Sequence, residues 1–393
     1  MGSYWGLTVN NFEILCGKTF IEPTTVILFD KTEYKDGVFT SNCGKLKKRL
    51  EILGINENEL EKHYNICKDK YISENTYDDE YFGNKLIKEF SYKDWCRQYK
   101  LIAEKFKNNY FEDRNEVESI FLESDDYPLC YPTEDIRETV FSILNLYSDE
   151  TKVELDVSSL IDAGYYEENF DFINYSIKEI RTESKNQQNI ILFTEGVFDV
   201  FVLKETLHLL YPDLEKYFTF LEFDNLKVPG GVSNILAYIK AFSGAKMQDK
   251  IIAILDNDAA GMNTIRLLND ISTKLENNIK FMTYPDRDYF CDYPTFGPGG
   301  EQNLNINKKA ASIELYLGDD ILKKQEKKYP IHWNGFIKEV NSYQGIIDDK
   351  DDIQKLFKEK LIECKNKPNL INNYDWTGIR NIWENIFSIC KTL

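Results

Sequence analysis

Residues 189–200 read NIILFTEGVFDV, and residues 250–261 read KIIAILDNDAAG. Each opens on a short apolar run, 190–193 and 251–255, that stops at an acid, Glu195 or Asp256. A glycine follows in each, and then an apolar pattern of helical period. Runs of this kind, bounded by a turn and followed by a helix, predict buried parallel strands of an α/β sheet. Ligands of such sheets sit outside the carboxyl ends of the strands. Glu195 and Asp256 therefore fall where chemistry is placed, with Asp258 beside Asp256.

The pattern Glu-Gly-x-x-Asp at Glu195, Gly196 and Asp199, followed by Asp-x-Asp-x-x-Gly at Asp256, Asp258 and Gly261, resembles the Toprim domain of topoisomerases, bacterial primases and several nuclease families. The primase-type version is the nearest in wording, and the likeness covers roughly 186–288. A second resemblance lies at the start. MGSYWGLTVNNFEIL, KTFIEP, the LF of TVILFD and KLKKRLEILGI are similar to the HEPN/Toprim-associated N-terminal module of bacterial conflict proteins, most clearly over residues 1 to about 55. That module precedes either a HEPN or a Toprim effector. A HEPN ribonuclease brings an Arg shortly before a His. No Arg stands four to six residues before His63, His208 or His332, which leaves the Toprim part as effector.

Two carboxylates at i and i+2 where a strand ends can point into one crevice. Carboxylates and waters are the ligands Mg²⁺ prefers. Asp256 and Asp258 are thus the expected ligands of Mg²⁺ or Mn²⁺, Asp199 is a further candidate ligand, and Glu195 either shares the metal or manages protons. Gly196 lets the backbone turn and a phosphate approach. Two of the acids have ordinary uses as well. Asp258 can cap the following helix, and Asp199 in a first helical turn complements the helix dipole, worth about 0.3–1 kcal/mol. A calcium loop fails, because Leu267 stands where a bidentate Glu is required. Asp286 and Asp288 follow the next strand, where the primase-type Toprim has acids. Glu314, in SIELYL, resembles an Ile-Glu-x-Tyr-Leu element found after the core in some nuclease families. Lys246 and Lys250 are candidate phosphate contacts, and solvated lysines are the ordinary alternative.

The rest of the chain frames this core. The expected layout is an N-terminal module over 1–185, strands to about 42 and then mostly helix; a Toprim domain over 186–309; and a helical C-terminal extension over 310–393. Strands are expected at 4–9, 12–15 and 24–29, the first two joined through Asn10-Asn11. Trp95, Tyr99, Ile102 and Phe106 make one helical face, and Ile136, Val140, Ile143 and Tyr147 another. Residues 108–134 read as an acidic irregular loop, 184–189 as the linker, and 290–305 as a Pro/Gly-rich loop. Ser233 or Asn234 is the expected cap of the helix after Pro229-Gly230-Gly231.

Eight scattered cysteines without a CxxC pair argue against a zinc site or a disulfide framework and fit a reducing cytoplasm. No apolar run approaches the roughly 20 residues of a membrane span, and the start lacks the basic and apolar regions of a leader. A net charge of −18 counts against coating of nucleic acid by a broad basic face. The resemblance implies a metal-dependent nuclease acting on DNA or RNA in bacterial defence against phage. A primase-like nucleotidyl transferase and a non-catalytic Toprim sensor module are the alternatives. No GxxxxGK[ST] signature is present, so ATP-driven sensing calls for a partner ATPase or sensor chain. A homo-oligomer is the expected way to pair two cutting sites.

Overall fold

The computed structural model describes residues 3–74, 82–107, 113–123, 128–133, 135–183, 190–221, 231–247, 249–324 and 327–393. The chain divides into two compact units, Met1–Gln187 and Gln188–Leu393. The linker expected at 184–189 lies outside the described residues.

The first unit is built on an antiparallel sheet ordered β2-β1-β5-β4-β3. Its strands are β1 (Tyr4–Val9), β2 (Phe12–Lys18), β3 (Tyr34–Lys35), β4 (Val38–Asn42) and β5 (Lys152–Asp156). Asn10 and Asn11 make the β1–β2 turn at φ of 52° and 62°, the left-handed region asparagine tolerates. The strand expected at 24–29 is instead a helical turn, Pro23–Val26. Proline presets φ for a first helical position, and Glu22 caps the turn by accepting from the Thr24 N–H at 3.2 Å. These local forces outweigh the β-branched run. Helix Tyr92–Phe106 buries the face expected of it; helix Ile136–Leu144 buries Val140 and Ile143, while Ile136 is half-buried and Tyr147, expected on the same face, lies beyond the helix end. Within the acidic stretch expected to be irregular, Glu116–Leu122 is a helix, because Asn115 and Glu118 form a reciprocal cap. Arg49 is fully buried and donates to both Glu33 oxygens, at 2.7 and 3.1 Å, and to the Leu28 carbonyl at 2.7 Å.

The second unit holds a wholly parallel sheet: β6 (Ile190–Phe193), β7 (Phe218–Phe220), β8 (Lys250–Leu255) and β10 (Ile279–Thr283), in the order β10-β8-β6-β7. The chain steps from β6 to β7 on one side, then returns to lay β8 on the other side of β6. The β6/β8 boundary is thus a switch point, where a crevice opens at the strand ends. Val200, Ile235, Ile239 and Leu268, from helices Val197–Leu210, Val232–Gly244 and Ala259–Asn269, join Phe193, Ile251 and Ala253 of the sheet in one buried cluster. Helix Thr377–Cys390 packs against helix Val197–Leu210 and β7, with the Trp383 indole donating to the Thr206 hydroxyl at 3.1 Å and meeting the Phe218 ring at 5.6 Å. The helix after Gly231 is capped by Gly231 itself, at φ 96°, not by Ser233 or Asn234.

The two-residue strand β9 (Asn257–Asp258) pairs with β13 (Ala310–Ala311). The loop expected at 290–305 is mostly a hairpin, β11 (Tyr293–Gly297) and β12 (Gly300–Leu304), whose glycines make the turn. After a small hairpin, β14 (Lys323–Lys324) and β15 (Lys327–Lys328), come β16 (Ile331–Ile337) and β17 (Ser342–Ile347). They complete a second sheet ordered β12-β11-β16-β17. The C-terminal stretch expected to be helical is therefore helical only beyond Lys350, in Lys350–Asn366 and Thr377–Cys390. The residues before it are rich in β-branched and aromatic side chains that serve two strands. No helix among the described residues is long and apolar enough to cross a membrane. None of the eight cysteines is joined to another by a disulfide.

Candidate functional site

Parallel pairing sets Phe193 of β6 against Ala253 of β8, so Glu195 and Asp256 leave their strands side by side. The Asp256 N–H donates to Glu195 Oε1 at 2.9 Å. Asp199, three residues into the helix after Gly196, is buried and accepts from the Tyr284 hydroxyl at 2.6 Å. A Cβ on Gly196 would stand 3.0 Å from Asp199 Oδ2, so the glycine keeps that carboxylate clear. Asp258 caps helix Ala259–Asn269, accepting from the Gly261 N–H at 2.7 Å, and takes the Gln344 amide on its other oxygen. Gln344 in turn accepts from the Ala260 N–H at 3.0 Å. Gly261 is fixed by contact: a Cβ there would lie 2.1 Å from the Asp256 carbonyl oxygen.

The electrostatics are those of acids gathered out of water. Burial pushes Glu195 up to about 8, with Asp258 and Asp199 adding to the rise. Burial also pushes Asp199 up to about 6, opposed by the Tyr284 hydroxyl and supported by Glu314. Asp256 is raised well above the carboxylate range by burial and then by Asp199, Glu195 and Asp258. Its Oδ1 is buried with no hydrogen-bond partner. Lys350 supplies positive charge. Its ammonium lies 3.2 Å from Glu314 Oε2. Burial opposes the charge of Lys350, but Glu314 and Asp256 more than restore it. Glu314 is buried too, yet Lys350, the Ser312 hydroxyl and the Gln354 amide hold it below its ordinary range.

The structure thus brings together Glu195, Asp199, Asp256, Asp258 and Glu314. Asp286 is exposed, one side chain removed: it accepts from the Asn257 amide at 2.9 Å and pairs with Lys308 at 3.1 Å. Asp288 lies exposed in the 3-10 turn Asp288–Phe290. Lys250 opens β8 and Lys246 precedes it, at the opposite end of that strand, roughly 20 Å along the backbone from Asp256 at about 3.3 Å per residue. They are not brought to the acids. Lys350, Gln344 and Tyr284 went unnoticed in the sequence; the first two lie in stretches with no local motif. Among the described residues, no three His, Cys, Asp or Glu side chains stand in metal-holding geometry as they are.

No curated protein and no solved structure matches the chain. Residues 1–188 match the family model described as HEPN/Toprim N-terminal domain 1, well beyond the first 55 residues where the likeness is plainest by eye. That match supports a HEPN/Toprim-associated protein, and it ends where the acid-bearing unit begins.

Proposed function

We propose that the second unit is a Toprim-type nuclease that cuts phosphodiester bonds of DNA or RNA with Mg²⁺ or Mn²⁺, in defence of a bacterial cell against phage. The observation that carries the reading is the unbonded, buried Oδ1 of Asp256 among four further acids at a switch point of a parallel sheet. A carboxylate oxygen stripped of water and of partners suits a hard cation. Mg²⁺ keeps several waters and needs only one or two carboxylates, so a closed cage of three is not required.

Asp256 and Asp258 would hold the metal, with Glu195 and Asp199 beside them. When bound, the ion would stabilise charge on a phosphoryl oxygen and make a water more acidic. The chain's own groups have separable tasks. The Asp256 N–H orients Glu195 through Oε1 and leaves Oε2 to carry a proton or share the metal. Tyr284 braces Asp199. Gln344 and the Gly261 N–H fix both oxygens of Asp258. Lys350 holds Glu314 and offsets charge near Asp256.

The test is cleavage by the purified chain on plasmid, single-stranded DNA and tRNA with Mg²⁺, Mn²⁺ or EDTA. Metal-dependent cleavage lost in Asp256→Asn supports the reading. Absence of both cleavage and Mn²⁺ binding sinks it and leaves a non-catalytic sensor module, which the net charge of −18 would suit.

A further inference from the structure

Glu314 enters the acidic crevice with its oxygens already spent. It lies in the 3-10 turn Ile313–Tyr316 and is 3% exposed. Its Oε1 accepts from the Gln354 amide at 3.0 Å, and its Oε2 from the Ser312 hydroxyl at 2.6 Å and the Lys350 ammonium at 3.2 Å. A carboxylate has about four acceptor positions, and both of those on Oε2 are filled. Asp256 is the opposite case, with Oδ1 buried and unbonded. The crevice thus has two unlike ends: one offers a bare oxygen, and the other already holds a cation.

Lys350 is not placed there for the sake of its helix. It is the first residue of Lys350–Asn366, where the helix dipole favours acids and opposes a cation; Asp351 and Asp352 beside it follow that preference. The residue before it, Asp349, has φ of 48° and ψ of 42°, a left-handed conformation that any residue but glycine adopts at a cost. From that turn Lys350 and, one helical turn on, Gln354 reach the same carboxylate. Against burial, Glu314 and then Asp256 and Asp199 keep the ammonium charged. The Lys350 side chain is still 40% exposed, which leaves it open to an incoming phosphate.

We propose that Lys350 stands where a second metal ion would, so that the site takes a single Mg²⁺ or Mn²⁺ and the ammonium supplies the other positive charge. The proposal rests on the nuclease reading for its purpose. Two-metal sites clamp a phosphate between ions about 3.5–4 Å apart. A second divalent ion on the Glu314 side of this crevice would find Oε2 filled and would sit against a like charge. An ion at Asp256 Oδ1 meets an oxygen with no competing donor.

The experiment counts Mn²⁺ bound to the full chain, without nucleic acid, by electron paramagnetic resonance of the free ion. Surface carboxylates of so acidic a chain take up Mn²⁺ as well, so the counts are compared between variants. Wild type should hold one ion more than Asp256→Asn, and Lys350→Met one more than wild type. The first ion of Lys350→Met should bind at least about ten-fold tighter, because a positive neighbour is gone. Lys350→Arg keeps the charge and should match wild type in both respects. A wild type that holds two ions more than Asp256→Asn would overturn the proposal and leave the nuclease reading standing. That count decides the matter even if Lys350→Met fails to fold. A folded Lys350→Met that binds as wild type does would overturn the proposal too. A wild type that holds no more than Asp256→Asn would overturn the metal-dependent nuclease reading itself, and the proposal with it.

Discussion

Replacing Glu195 by Gln should stabilise the metal-free protein near neutral pH while abolishing cleavage. Glu195 is held at about 8 in the fold, against an ordinary value of 4.5. Below pH 4.5 the carboxyl is protonated in both folded and unfolded chains, and its ionisation costs the fold nothing. As pH rises past 4.5 the unfolded chain loses this proton and the folded chain keeps it. Stability therefore falls with pH, until the folded group ionises near 8. The loss is about 1.4 kcal/mol per pH unit, which sets a ceiling of ~4 kcal/mol at pH 7.5. Sharing of the strain with Asp256, whose N–H the carboxyl accepts, brings the expected gain to about 2–3 kcal/mol. A Gln side chain can still accept that N–H and cannot ionise. The assay is urea unfolding in EDTA of wild type and Glu195→Gln at pH 5 and pH 7.5. The gain should be large at pH 7.5 and nearly absent at pH 5. A variant equally destabilised at both values would refute the reasoning, since the acid would then be a packing element and not a carboxyl that the fold holds protonated.

Two further perturbations probe the same frame. Lys350→Met should lower stability by about 1–2 kcal/mol at neutral pH, because buried Glu314 then loses a cation that is itself 40% exposed and partly screened; urea unfolding reads it, and an unchanged midpoint would show that Ser312 and Gln354 suffice. Gly261→Ala should cost about 2 kcal/mol or more, since the new Cβ meets the Asp256 carbonyl at 2.1 Å; a thermal melt equal to wild type would mean the turn relaxes freely.

The sequence disclosed the strands that need only local pattern. Runs 190–193 and 251–255 are apolar throughout because they form the two central strands of the parallel sheet, and each ends at a turn. Glu195, Asp199, Asp256, Asp258 and Glu314 were legible as acids of one site. Their surroundings were not. Gln344 and Lys350 reach Asp258 and Glu314 across 86 and 36 positions, and no periodicity announces a contact of that span. At residues 24–29, β-branching pointed to a strand, but Pro23 and the Glu22 cap decided for a helical turn. At 290–305, glycine and proline suggested a loop, and the same glycines turned a hairpin.

The bonds that close the acidic crevice join distant points of the chain: Glu195 to Asp256 over 61 positions, Tyr284 to Asp199 over 85, Gln344 to Asp258 over 86. Contacts of such separation form late, because each must wait for a long loop to close. A chain emerging from the ribosome carries Glu195, Asp199, Asp256 and Asp258 well before it carries Gln344 or Lys350. The acids thus meet their stabilising partners only as the last segments dock. Synthesis order itself keeps the half-made protein from holding a finished site, since Gln344 and Lys350 arrive after the acids they bind.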